Sequence, residues 1–264
     1  MESDSQKGKI GVFDSGLGGL VVLRELRRTM PEFDYVFFGD QKNLPFGNKS
    51  LDELFTIGKE ALTYLFEQQD CRAVLIACNT MSANLYDRLK AWVLATYPEH
   101  YIFGIGKGTV DSLEPDTRFT VFGTERTVES HRYSHLLKER FTRADVSEIA
   151  LPELCPRIES HSDIETYLQN FSDVVPREPG TAILACTHYG IVKESFQKVF
   201  PQFHTVVAQE EVLPTFFNSY LDDREHIRNI LSVGGTLRIL ISADNPVFRE
   251  YAKKWFSETQ VTVC

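Results

Sequence analysis

Two short stretches, VLIACNT at 74–80 and AILACTH at 182–188, decide how this chain is read. Each is an apolar run that ends in Ala-Cys and passes directly into polar residues. That pattern describes a buried strand handing over to a helix or loop. Cys78 and Cys186 lie 108 residues apart. Two other pairs keep nearly the same spacing: VFDSG at 12–16 with VFGTE at 121–125, and LPFG at 44–47 with LPEL at 151–154. Three ordered matches at one offset point to two homologous halves.

Around these stretches, strand-like runs alternate with amphipathic ones. Strands are expected over 9–13, 34–39, 72–77, 101–105, 119–122, 146–150, 182–185, 205–207 and 237–241. Helices are expected over 17–30, 51–68, after the strand at 72–77 to about 95, and over 127–140, 162–173, 191–200, 213–231 and 246–256. The stretch 176–180 is expected to be a surface turn. Such alternation implies βαβ units and parallel sheets. The expected fold is α/β: two pseudo-symmetric parallel-sheet domains with a site in the cleft between them. One domain comprises 1–102 plus 209–264 and carries Cys78; the other, 103–208, carries Cys186. Ligands of parallel α/β sheets bind beyond the carboxyl ends of the strands, where both cysteines fall.

Composition sets the limits. The chain has 264 residues, 42% of them hydrophobic and 25% charged, an ordinary globular mixture. No apolar run reaches the roughly 18–20 residues of a membrane helix. The N-terminus, MESDSQKGK, lacks the apolar centre of a secretory signal. A cytoplasmic protein is expected. A net charge of −9 disfavours nucleic acid and anionic membrane as partners. Five cysteines, an odd number without a CxxC, describe free thiols rather than a disulfide framework.

A cysteine entering a helix meets unpaired N–H groups and the positive end of the helix dipole. Both favour thiolate, so acidic thiols are expected at Cys78 and Cys186. Either cysteine alone reads more simply as a small buried hydrophobe; two at equivalent positions weaken that reading. Cys186 and His188 could ligate a metal, but no compact four-ligand set is visible, and no metal is expected. Two opposed thiols suit proton transfer at one carbon from opposite faces, with inversion as the result.

IGVFDSGLGGL at 10–20, Gly39-Asp40, LPFG, IACNTMS, GTERT at 123–127, CPRIE at 155–159 and ACTHY at 185–189 together resemble the cofactor-independent glutamate racemases of the aspartate/glutamate racemase superfamily. The resemblance runs from residue 10 to about 190. It implies interconversion of L- and D-glutamate without pyridoxal phosphate or metal, supplying D-glutamate for peptidoglycan in a bacterial cytoplasm. It implies Cys78 and Cys186 as the catalytic pair, Asp14 assisting Cys78 and His188 assisting Cys186. Asp40 and Glu159 match further acidic positions. Substrate contacts carry over to Asp14, Ser15, Phe46, Gly47, Asn79, Thr80, Thr187 and His188, with Thr124 a further candidate.

Simpler readings stand beside these. Asp14 could initiate a turn, Asp40 could cap one, Glu159 could be a solvated acid and His188 a structural histidine. The GLGG glycines do not complete GxGxxG, which excludes a nicotinamide site. Cys71 and Cys264 read as bystanders, and nothing in CPRIE requires a thiol at Cys155. The chain departs from the family pattern at four places: Phe46 for Tyr, Gly190 for Pro, GIGKGTV at 104–110 and AQEEV at 208–212. Gly190 is expected to loosen the helix start it occupies. The alternatives are a racemase of aspartate or another small amino acid, or a catalytically weak relative that binds a carboxylate. No motif sets the oligomeric state, and a homodimer stays open.

Overall fold

The computed structural model describes residues 7–257 and 259–264; residues 1–6 of the polar N-terminus lie outside them. The first strand, β1 (Lys9–Asp14), is buried from its second residue onward. Helix α1 (Gly18–Thr29) sends Leu20, Leu23 and Leu26 into the core and ends on Arg27 and Arg28, where the helix dipole favours cations. Strand β2 (Tyr35–Gly39) follows, then two short 3-10 turns, Gln41–Asn43 and Phe46–Asn48. Helix α2 (Leu51–Glu67) starts at a reciprocal cap between Ser50 and Glu53. Next come β3 (Cys71–Ile76), α3 (Asn79–Thr96), β4 (Tyr101–Gly104) and α4 (Ile105–Asp111).

The pattern then repeats through β5 (Arg118–Gly123), α5 (Glu125–Glu129), α6 (Arg132–Arg140), β6 (Asp145–Ala150), α7 (Leu154–Glu159), α8 (Ile164–Gln169) and β7 (Gly180–Ala185). A 3-10 turn at Tyr189–Val192 leads into α9 (Lys193–Val199) and β8 (Phe203–Ala208). The chain closes with α10 (Gln209–Asp222), α11 (Glu225–Arg228), β9 (Leu237–Ile241), α12 (Pro246–Trp255) and β10 (Val261–Val263).

The strands form two sheets, ordered β10-β9-β2-β1-β3-β4 and β6-β5-β7-β8, with every pair parallel. The α/β reading therefore holds. The run β2-β1-β3-β4 in the first sheet has the same order as the whole second sheet. Phe13 pairs with Ile76 in one, and Phe122 with Leu184 in the other. Cys78 and Cys186 each stand two residues past these equivalent strand positions, which accounts for the internal repeat. β9 and β10 widen the first sheet alone.

Both sheets are covered on two faces. In the first, Ile10 and Val12 pack with α1, α10 and α12, whereas Phe13, Val74 and Ile76 pack with α2 and α3. In the second, Phe122 and Leu184 face α7–α9, and Val121 and Ile183 face α6. Strand side chains alternate between faces, so a sheet buried on both sides reads as a continuous apolar run.

Several helices differ from expectation. The one expected over 127–140 breaks at His131, whose φ is +52°. The one over 162–173 shrinks to α8, started by the Asp163 side chain, which accepts from the Thr166 N–H. The one over 213–231 begins earlier, at Gln209, and splits after Asp222. The short helices α4 and α7 and strand β10 were not anticipated. Helices of six or seven residues make at most two turns, too few for a readable period. No helix among the described residues is long and apolar enough to cross a membrane.

Two departures from the family pattern prove to be one packing event. A β-carbon at residue 190 would overlap the Glu210 carboxylate. Gly190 thus makes room for a buried acid. Burial raises the Glu210 pKa to about 7, and its Oε2 has no hydrogen-bond partner. The sign follows directly. Below the unfolded pKa of about 4.3 the group is neutral in both states, and its folded site carries no charge penalty. As pH rises towards 7 the unfolded chain ionises first and stability falls, by at most about 4 kcal/mol above pH 7. Glu210→Gln is expected to raise the Tm at pH 8 and to give a much smaller gain at pH 5. Equal Tm values for the two proteins at pH 8 would refute the buried-acid account.

Candidate active site

The first half of the site forms where β1 and β3 end side by side. Cys78 is the residue before α3, and its Sγ donates to Ser15 Oγ at 3.7 Å. The Met81 N–H also reaches the sulfur. Asp14, 1% exposed, ends β1. Its Oδ1 accepts from the Gly16 N–H (2.8 Å) and Ser15 Oγ (3.5 Å), and its Oδ2 accepts from Thr187 Oγ1 (3.2 Å). One carboxylate thus supports the Cys78 side and reaches across to the loop that carries Cys186.

The second half forms beyond β7. Cys186 Sγ lies 4.0 Å from His188 Nδ1, and His188 Nε2 lies 2.9 Å from Glu159 Oε1. Cys186, His188 and Glu159 therefore form a chain, with Glu159 at the end of α7. Cys155, on the first turn of α7, brings its Sγ to 3.4 Å from Cys186 Sγ. The α1 N-terminus packs directly on this loop: a β-carbon at Gly18 would overlap Thr187 Oγ1 and stand 2.7 Å from the His188 backbone nitrogen. The GLGG sequence serves this close approach.

The expected acidic thiols are not what the structure shows. Burial pushes the Cys78 thiol up to about 12, with the Asp14 charge adding to it; the Met81 N–H and Ser15 hydroxyl offset only part. Cys186 is pushed well above its ordinary value, first by its contact with Cys155 and then by burial, with His188 opposing. A helix N-terminus acidifies a thiol that keeps some solvent, but at Cys78, 5% exposed, desolvation wins; Cys186, 7% exposed, precedes only a 3-10 turn, and there the Cys155 contact leads. Burial also raises Asp14, against the His188 charge and its hydrogen bonds. At His188, burial works against the imidazolium, yet Cys186 and Glu159 outweigh it and raise the pKa to about 10.

The other candidates are placed as follows. Asp40 accepts from Ser242 Oγ (2.7 Å) and Asn43 Nδ2 (2.8 Å), and its N–H donates to the Asp14 carbonyl (3.0 Å). It anchors the turn that leads to Phe46, which is buried against the first sheet. The carbonyls of Gly47 and Lys49 accept from the Arg126 guanidinium, which reaches over from α5. Thr80 Oγ1 meets Thr124 Oγ1 at 3.1 Å. The Asn79 side chain donates to Gln209 Oε1 (2.6 Å) and accepts from Tyr133 OH (2.6 Å). Asp14–Thr187, Thr80–Thr124 and Asn79–Tyr133 are thus buried or half-buried stitches between the two halves. A separate cavity of about 480 Å³, lined by Tyr86, Phe103, Phe216, Phe217 and Tyr220 among others, includes neither Cys78 nor Cys186.

Gln209, Tyr133 and Cys155 were missed from sequence. Gln209 stood in plain view as part of the departing AQEEV turn. Cys155 had a signal too: it precedes Glu159, itself a candidate, by four residues, so on a helix both share one face.

Comparison with models of protein families finds no match. Comparison with curated proteins finds the glutamate racemase of Fusobacterium nucleatum, 33% identical over 241 residues, which cover 86% of this chain and 89% of that protein. Among solved structures, a glutamate racemase isoform from Bacillus anthracis superimposes with a TM-score of 0.84 at 23% identity, over 97% of each chain. That of Francisella tularensis, solved in complex with D-glutamate, gives 0.82 at 24% identity, over 98% of this chain and 97% of that one. The two structures speak for the fold, and the extended sequence identity speaks for descent: this chain belongs to the glutamate racemase family.

Proposed function

We propose that this chain interconverts L- and D-glutamate without a cofactor, with Cys78 and Cys186 as the two proton-transfer groups. One observation carries the reading. Two thiols occupy equivalent strand ends of two repeated sheets, and each has its own polar support: Ser15 and Asp14 on one side, His188 and Glu159 on the other. Mechanism follows from charge. A bound amino acid brings an ammonium into a site where burial has kept both thiols neutral. That charge, with the His188 imidazolium, favours a thiolate on one side. The thiolate removes the Cα proton, and the thiol on the opposite face returns one, inverting the centre. Reversal exchanges the roles.

The carbanionic transition state needs donors aimed at the substrate carboxylate. The reading assigns these to Ser15, Asn79, Thr80, Thr124 and Thr187, with Phe46 and Gly47 shaping the wall. Asp14 orients the Cys78 side or meets the ammonium. Asp40 is assigned a positioning role through the turn it anchors. Both thiols are almost fully buried, so substrate entry requires the two halves to part. The place of action is the cytoplasm, with D-glutamate passing to peptidoglycan synthesis.

Proton NMR in D₂O, with purified protein, no pyridoxal phosphate and a chelator present, tests this. Exchange of the Cα hydrogen with inversion is expected from both L- and D-glutamate. Exchange on aspartate alone would move the assignment to that substrate. No exchange from folded protein would reject racemisation in favour of carboxylate binding.

Glu159 gives a further check. Its carboxylate holds the His188 imidazolium, and a hydrogen bond to a charged group is worth about 1.5–3 kcal/mol. Glu159→Gln is expected to lower kcat roughly 10- to 100-fold with less effect on KM. It should also lower the His188 pKa from about 10, moving the alkaline limb of the rate profile to lower pH. An unchanged alkaline limb would remove Glu159 from this role.

A further inference from the structure

Three side chains around Cys186 converge more tightly than proton transfer requires. Cys155 Sγ, Cys186 Sγ and His188 Nδ1 all lie within 4.8 Å of one another. The two sulfurs are 3.4 Å apart, and Cys186 Sγ is 4.0 Å from Nδ1. A tetrahedral zinc ion with Zn–S of about 2.3 Å and Zn–N of about 2.0–2.1 Å sets its ligand atoms roughly 3.8 Å (S to S) and 3.6 Å (S to N) apart. The pair of sulfurs and the Cys186–His188 pair therefore need shifts of a few tenths of an ångström, and the Cys155–His188 pair a closure of at most about 1.2 Å. The donor set is also right in kind: two thiolates and an imidazole suit a borderline-soft divalent cation.

The second observation lies one bond further out. His188 Nε2 is paired with Glu159 Oε1 at 2.9 Å. A carboxylate on the far nitrogen of an imidazole fixes the ring and leaves the near nitrogen to coordinate, the arrangement that commonly backs a metal-bound histidine. Here the near nitrogen is Nδ1, and it faces both sulfurs. Cys155 and Glu159 are four residues apart on α7, so one helix face supplies a ligand and the ligand's orienting group.

We propose that Cys155, Cys186 and His188 form a binding site for a zinc-class divalent cation, and that its occupancy withholds Cys186 from proton transfer. Three protein ligands leave a fourth tetrahedral position for water or for a substrate oxygen or nitrogen. Binding exchanges each sulfur–hydrogen bond for a sulfur–metal bond and the Nδ1–hydrogen bond of the His188 imidazolium for a nitrogen–metal bond; the three protons pass to solvent, and no electron moves. Inhibition rests on the proposed role of Cys186, whereas binding does not.

Cobalt(II) serves as the probe, added to chelator-stripped, reduced full-length protein. One equivalent is expected to bind, with thiolate-to-cobalt charge-transfer absorption and the visible bands of tetrahedral cobalt, both abolished by added zinc. Zinc should also inhibit glutamate racemisation, and a chelator should restore it. Cys155→Val, with Cys155→Ser as a second variant and circular dichroism confirming folding, should bind cobalt at least about 10-fold more weakly and lose much of the charge-transfer band. Cys78→Ala should keep the full cobalt spectrum even though its racemisation is lost, which separates failure of the metal site from failure of the racemase reading. Wild-type protein without a charge-transfer band, or folded Cys155 variants with an unaltered one, would overturn the proposal.

Discussion

Cys78→Ala and Cys186→Ala are each expected to reduce inversion of glutamate by about 10²–10⁴-fold, the usual contribution of a positioned acid or base. The two variants should differ in what they retain. A racemase with one thiol removed still has a base on the other face. Each variant should therefore go on exchanging the Cα hydrogen of one enantiomer with solvent, and the two variants should favour opposite enantiomers. Polarimetry reads the loss of inversion, and proton NMR in D₂O reads the residual exchange. Undiminished inversion in either variant would sink the two-thiol mechanism. Loss of exchange on both enantiomers in both folded variants would instead mean that the two thiols act only as a pair.

Gly18→Ala is expected to be the most damaging change away from the sulfurs. The new methyl would overlap Thr187 Oγ1 and stand 2.7 Å from both the His188 backbone nitrogen and Nδ1. A backbone nitrogen cannot swing aside as a long side chain can, so α1 and the Cys186 loop must move apart. Overpacking of this kind costs about 1–3 kcal/mol. The separation also strains the 3.2 Å bond from Thr187 to Asp14 and shifts His188 from Cys186. A misplacement on the order of 1 Å can cost about 10²-fold in rate, and a fall of that size in kcat is expected together with a lowered Tm. Gly106→Ala in α4 is the control for the Tm, since its β-carbon would meet nothing nearer than 3.6 Å. A wild-type Tm and kcat in Gly18→Ala would show that α1 does not set the position of this loop.

Much of the fold was open to reading because parallel strands buried on both faces leave continuous apolar runs. VLIA before Cys78 and AILA before Cys186 announced both their strands and their equivalence, and the paired registers of Phe13 with Ile76 and Phe122 with Leu184 bear that out. Short helices were opaque for the opposite reason. α7 is six residues long and contains Pro156, and its one helical turn leaves no period to detect. The break at His131 depends on a single positive φ that a histidine does not advertise.

Residue identity along the chain by itself determined the α/β class, the duplication, and the pair of cysteines at matching strand ends, because each of these is written in local pattern and spacing. What only the tertiary structure decided is what surrounds those sulfurs. Burial reversed the thiol acidity that a helix N-terminus alone would confer, since desolvation depends on everything packed within a few ångströms. The same packing turned Gly190 and Glu210 into one event and brought Cys155 to 3.4 Å from Cys186. These are meetings of residues far apart in the chain, and their energies depend on distances that no linear order contains.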